Sequence, residues 1–184
     1  MAQAAEPLTI NGSHGEGGSA LVRAAVSLSA LTTRPLRLSQ VRGAARTPGL
    51  TPEDIATISI LKEACKAEVL GLEEKSHELH FTPQREISPV ELNLDPTAGG
   101  KRSSSSACVP LVAAVPLLSG AKGYSYISIS GETHRERSLA YPTFERVTCA
   151  ALKRLGLYTF PSLEKAGFER RSNGQVKIEI EPSS

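Results

Sequence analysis

Apolar and polar positions along the chain fall into short blocks whose period switches between two and about 3.6 in a repeating order. Leu8-Thr9-Ile10 is a short apolar run, and the glycine-rich stretch Asn11-Gly12-Ser13-His14-Gly15-Glu16-Gly17-Gly18 follows it. Helical spacing then runs over about residues 19–31, with Leu21, Ala25, Leu28 and Leu31 on one face. Residues 36–41 alternate like a half-buried strand. After a loop with Pro48 and Gly49, Thr51-Pro52-Glu53-Asp54 reads as a helix start: a threonine cap, proline in the first turn, acids at the positive end. Its apolar face is Ile55, Ile58, Leu61 and Cys65, and strands are predicted at 68–72 and 78–82.

The second half repeats that order. Residues 91–94 alternate, and the turn Asp95-Pro96-Thr97-Ala98-Gly99-Gly100 precedes an apolar helical stretch ending near Ser119. Pro110 and Pro116 predict a kink there, or two short segments, because an internal proline removes a backbone donor. Residues 124–130 alternate strongly, a helix is predicted over about 141–155 with Gly156 as its cap, and strands at 158–163 and 175–181 close the pattern. Ser172-Asn173-Gly174 supplies the turn before the last strand. The expected fold is α/β (α+β), two tandem βαβαββ repeats over residues 1–83 and 91–184 joined by a linker at 84–90.

Composition narrows the class. The 184 residues are 40% hydrophobic and 22% charged, which suits a globular core and excludes wholesale disorder. No apolar run approaches the roughly 20 residues of a membrane span, and the N-terminus lacks a signal-peptide pattern, so a soluble cytoplasmic protein with no membrane partner is expected. Three cysteines, Cys65, Cys108 and Cys149, lie far apart among small or apolar residues and read as reduced buried thiols. Net charge is only +2, but it is unevenly spread: +3 over residues 1–50, −6 over 51–95 and +5 over 96–184.

Candidate chemistry concentrates in the two glycine turns. Backbone amides of Gly15, Gly17 and Gly18 at the start of a helix would cradle a phosphate, or the turn simply needs positive φ. Glu16 suits a magnesium ion or the orientation of a base better than direct phosphate contact. Thr97, Gly99, Lys101 and Arg102 form a second anion site or a serine-capped helix start with solvated bases. Arg34, Arg37, Arg42 and Arg46 are either a solvated face or a phosphate-facing cluster. His134 reads as a surface residue of a polar loop, and His77 and His80 carry no assigned role.

The segments GSHGEGGSALVRAAVSLSALTTRPLRL, VRGAARTPGLTPED, the TAG of DPTAGG, SGETH and GFERRSNGQVKIEIEP resemble, in this order, the RNA 3′-terminal phosphate cyclase family. The resemblance runs from about Leu8 to Pro182. It implies βαβαββ repeats as in these cyclases and in enolpyruvyl transferase-like folds. It also implies ATP-dependent conversion of an RNA 3′-phosphate to a 2′,3′-cyclic phosphate, through adenylylated histidine and adenylylated RNA, with a divalent metal such as magnesium. ATP and an RNA 3′ end are the implied partners. Glu16 would then face the metal, and Arg23 and Arg42 would face phosphates along with Gly15, Gly17, Gly18, Thr97 and Gly99.

Several positions depart from the family pattern. Ser19-Ala20 stand where the family has Gly-Gln, Ala45 replaces a second arginine, and Glu53-Asp54 replace Gln-His. Ser106 falls where a helical glutamine is usual, and Gly131-Glu132-Thr133 replaces Gly-Gly-Thr. The family has three repeats and a nucleophilic histidine near its C-terminus, whereas two repeats are read here and no histidine follows His134. The resemblance thus leaves no residue assigned as catalytic. It leaves open a cyclase with its third repeat elsewhere, a non-catalytic RNA- or protein-binding relative, and a homo-oligomeric assembly module.

Overall fold

The computed structural model describes residues 6–15, 17–95, 105–168 and 174–183. The chain divides into two compact units, Met1–Ile87 and Ser88–Ser184.

The first unit runs β1 (Leu8–Asn11), α1 (Ser19–Thr32), β2 (Leu36–Ser39), α2 (Pro52–Cys65), β3 (Glu68–Leu70), β4 (Leu79–Thr82). Its sheet has the order β1-β2-β4-β3, with β1 and β2 parallel and the other pairs antiparallel. Two parallel neighbours cannot be joined by a tight turn, so α1 carries the chain back across the sheet. It packs on β2 and β4 and against α2, over Leu36, Leu38, Leu79 and Phe81, all fully buried.

The face that α1 turns inward differs from the sequence reading. Val22, Ala25, Val26, Ser29 and Ala30 are buried, while Leu28 and Leu31 are 56% and 64% exposed. Both stripes have helical spacing, but the buried one is interrupted in hydropathy by Ser29. That hydroxyl donates to the Arg34 carbonyl and so enters the core satisfied. In α2, Ile58, Leu61 and Cys65 are buried as expected, whereas Ile55 is only half-buried and Ala56, Ile60 and Ala64 are buried as well. The neighbouring α1 accounts for the wider buried arc. The expected cap is present and is reciprocal: Thr51 Oγ1 accepts from Asp54 N at 3.2 Å, and the Asp54 carboxylate accepts from Thr51 N at 3.0 Å. Strand β2 stops at Ser39 rather than 41 because Gln40 and Arg42 turn left-handed, at φ +49° and +50°.

The second unit repeats the plan: β5 (Glu91–Leu94), α3 (Val109–Ser119), β6 (Ser125–Gly131), a composite helix α4, β7 (Thr159–Lys165), β8 (Gly174–Ile180). Its sheet order, β5-β6-β8-β7, is the same order of first, second, fourth and third strand. Helix α4 is α-helical at Tyr141–Thr143 and Ala150–Arg154, with a π-helical run Phe144–Cys149 between. It ends as a glycine-terminated helix should: Gly156 has φ +82°, its N–H reaches the Lys153 carbonyl, and Leu157 N–H reaches that of Leu152. Ser172 and Asn173 of the expected turn lie outside the described residues.

The two prolines do not divide α3, which is one helix. Pro110 falls in the first turn, where no intrahelical bond is lost, and only Pro116 sits inside. Alternation is regular in β6 and β8: Ile127, Ile129, Val176, Ile178 and Ile180 are buried, and the intervening side chains lie on the opposite face. At the edge, β7 carries Pro161 and a register shift between Leu163 and Lys165.

All three cysteines are free and buried. Burial pushes the Cys65 thiol up to about 11 and the Cys108 thiol up to about 12, and raises Cys149 as well. Among the described residues no helix is long and apolar enough to cross a membrane.

Two outcomes are expected of the folded chain. Ellman's reagent at pH 8 should label none of the three thiols until denaturant is added, because burial shields each sulfur and disfavours its reactive thiolate. Phe81→Ala, at a fully buried position, should cost about 3–5 kcal/mol in urea unfolding.

Candidate functional site

The first glycine turn joins the C-terminal end of β1 to the N-terminus of α1. Asn11 Oδ1 accepts from Ser13 N at 2.9 Å and Ser13 Oγ at 2.7 Å, which closes the turn on itself. Gly12 N donates to Ser39 O at 2.7 Å, so the turn is held against the end of β2. A Cβ at Gly12 would stand 2.9 Å from the Gln40 carbonyl. Gly17, at φ +52°, leaves no room for a side chain against the Gly12 carbonyl, and its N–H donates to His14 O at 3.2 Å. That amide, one of the three expected to meet an anion, is therefore engaged within the turn.

Gly18 is the N-cap of α1, extended at φ −83° and ψ 178°, with no side-chain cap. The space its Cβ would occupy is open, as it is at Gly15. The first helical turn of α1 carries no acid. A fourteen-residue helix thus opens with unshielded backbone, the arrangement that suits an anion. Glu16 lies outside the described residues.

The arginine loop abuts this turn. Residues 40–49 leave the end of β2 and close through Gly49 N to Val41 O at 2.8 Å. A Cβ at Gly43 would stand 3.0 Å from Ser13 Cβ. Arg42 is half-buried in this loop and its Nη1 donates to Gly49 O at 3.1 Å. The structure therefore brings the glycine turn and the loop that carries Arg42 together beyond the carboxyl ends of two parallel strands, a recurrent position for ligand sites in open α/β sheets. It does not gather the four arginines. Arg37 lies mid-strand on the exposed face, and Arg34 precedes β2 at the end opposite Arg42.

Arg23 stands one helical turn inside α1 and is engaged elsewhere. Its Nη1 lies 3.4 Å from Asp54 Oδ1, and its side chain is 24% exposed. Asp54 is completely buried, and its Oδ2 accepts from Thr51 N at 3.0 Å, Thr51 Oγ1 at 2.7 Å and Ser19 Oγ at 2.9 Å. These three donors and the Arg23 cation offset the cost of burying the carboxylate. Ser19 and Asp54, two of the positions that depart from the family pattern, are thus bonded to each other across the helix starts. The Thr51-x-x-Asp54 spacing signals the cap, but no local signal ties it to Ser19 or Arg23.

In the second unit, Thr97, Gly99, Lys101 and Arg102 lie outside the described residues. The approach to α3 is ordered by Ser106, whose Oγ accepts from Cys108 N at 3.3 Å and Val109 N at 3.4 Å. Ser106 therefore precedes α3 rather than lying in it. Glu132 is buried at the end of β6 with Oε2 3.4 Å from Arg135 Nε, and its backbone bridges to Ser105 and Ala107. His134 is half-buried rather than a free surface residue: its ring stacks on Phe168 at 4.6 Å and Nδ1 lies 2.8 Å from Thr133 Oγ1. Among the described residues no group of three or more histidine, cysteine or acidic side chains could hold a metal ion.

Residues 14–184 match the family model for RNA 3′-terminal phosphate cyclase. The RNA 3′-terminal phosphate cyclase of Methylococcus capsulatus is 32% identical over 94% of this chain and 48% of its own length. That of Pyrococcus abyssi is 34% identical over 95% of this chain and 49% of its own. The chain spans about half the length of these curated relatives. The enolpyruvyl transferase NikO of Streptomyces tendae is similar at 15% identity and a TM-score of 0.44, over 90% of this chain and 30% of that one. With Gly15, Gly17 and Gly18 of the glycine turn, the arginine loop, the first repeat from α1 onward and the whole second repeat inside the matched span, the chain belongs to the RNA 3′-terminal phosphate cyclase family.

Proposed function

We propose that these two repeats bind phosphate groups in an RNA 3′-terminal phosphate cyclase reaction. In that reaction ATP activates an RNA 3′-phosphate by transfer of AMP with release of pyrophosphate, and AMP departs as the 2′-hydroxyl closes the cyclic phosphate. The observation that carries this reading is the juxtaposition of an uncapped, glycine-lined helix start with the loop that carries Arg42, both inside the family's matched span. The open space at Gly15 and Gly18 fits a phosphate, and Arg42 would meet its charge. A divalent metal would sit at Glu16 on this reading, as a counter-charge to the nucleotide phosphates.

A second reading is a non-catalytic relative that keeps the fold to bind RNA or protein. The Arg23–Asp54 pair favours it, since a buried carboxylate bonded to Ser19, the first residue after the glycine cradle, opposes a polyanion and neutralises Arg23.

A 3′-phosphorylated oligoribonucleotide, with ATP and magnesium, separates the two. Conversion to the cyclic phosphate supports the first, salt-dependent binding without conversion supports the second, and no measurable binding of RNA or ATP overturns the first and the RNA-binding form of the second. Arg42→Ala should weaken RNA binding about three- to thirtyfold at low salt, with little change in unfolding. Asp54→Asn should strengthen it several-fold by freeing the Arg23 charge, while lowering stability by about 1–3 kcal/mol through the damaged cap and pair.

A further inference from the structure

The chain has four tyrosines and four phenylalanines, and half of these eight stand together on one exposed surface. Tyr124, Tyr126, Tyr158 and Phe160 are 43–56% exposed at one end of the open face of the second sheet. Ladder register lines them up with acids. Glu91 pairs with Tyr126, Tyr126 with Glu179, and Glu179 with Phe160, so one row across four strands reads acid, aromatic, acid, aromatic. Past the strand ends, Glu181 lies beside Tyr124, raising its phenol above the ordinary value by charge and hydrogen bond, and its N–H reaches the Tyr158 carbonyl.

The row lines a groove of about 840 Å³, large enough for several side chains. Its described cation, Lys177, is at one side and paired with Glu164 at 3.1 Å. The fold does not require these residues. The corresponding row of the first sheet is Thr9, Arg37, His80 and Leu70, with the same pairing order and neither a tyrosine or phenylalanine nor an acid.

We infer that this face docks an arginine-bearing segment of a partner protein. Tyr126 and Phe160 leave strands two ladder steps apart, about 9–10 Å, with Glu179 on the strand between them. A guanidinium over Glu179 would sit about 5 Å from each ring, within cation–π range, and would bond the carboxylate through its planar fork. Lysine, a compact ammonium, makes the ion pair but stacks poorly on the rings. Single-stranded RNA would find rings to stack on, but the row's two carboxylates, with Glu181 beside it, repel its phosphates. The phosphate site of the first unit plays no part in this docking.

The test titrates the full chain with octa-arginine, octa-lysine and a single-stranded RNA, each read by calorimetry. Octa-arginine should bind several-fold tighter than octa-lysine. Tyr126→Thr with Phe160→Thr should weaken it about tenfold or more although every acid is kept, and Glu179→Gln about three- to tenfold. Lys177→Gln, remote from the core, should tighten it about twofold, a gain that misfolding cannot mimic. Unchanged affinity in the double aromatic variant reduces the effect to bulk charge and overturns the proposal. RNA binding lost in that variant, or a dimer in light scattering that it abolishes, assigns the face to another occupant and overturns it as well.

Discussion

Each unit starts with two parallel strands side by side, and that pairing governs most of what the chain presents. A parallel pair forces the connection to cross the sheet as a helix, and one crossing hand is strongly preferred. In the first unit α1 and α2 pack together over the residues of β2 and β4 that alternate inward, and in the second unit the same strand order recurs. Three consequences come with the crossing. One sheet face is buried, the opposite face is left to solvent, and in the first unit the turn after β1 places a strand end against a helix start. The glycine turn with Arg42 and the acid–aromatic row of the second sheet are products of one topological rule, applied once in each unit.

Charge within the first unit is organised around Asp54. A carboxylate with no solvent exposure survives because the start of α2, the hydroxyls of Thr51 and Ser19 and the guanidinium of Arg23 all point at it. It fastens the N-termini of the two helices to each other, so the helix start carrying the glycine cradle is held by a residue 31 positions beyond Arg23. Arg23 and Arg42, alike in the sequence, thereby acquire different roles. The first is tied into a helix–helix junction, and the second stays with the loop beside the cradle.

The order of elements was legible because it rests on local signals. Period-two blocks, the Thr51-Pro52 start and the Gly156 stop each reflect chemistry within a few residues. The errors arise where tertiary contact chooses between locally equivalent options. Helix α1 offers two apolar stripes, and the choice of Val22, Val26 and Ala30 over Leu28 and Leu31 depends on Ser29 finding the Arg34 carbonyl. Pro110 and Pro116 look alike in sequence, yet only their distance from the helix start separates a harmless proline from an internal one. At the site, glycine positions marked the turn, but the partner of Arg23 and the stacking of His134 on Phe168 join residues over 30 positions apart. No spacing rule reaches that far.

The outer margin of the second sheet has a further consequence. Strand β7 is seven residues long, enough to recruit a foreign strand by backbone pairing, but Pro161 offers no amide hydrogen and the slip after Leu163 breaks the regular spacing of its groups. Glu164 and Lys165 add charge at the same margin. Sideways growth into fibrils or open-ended polymers is thereby discouraged.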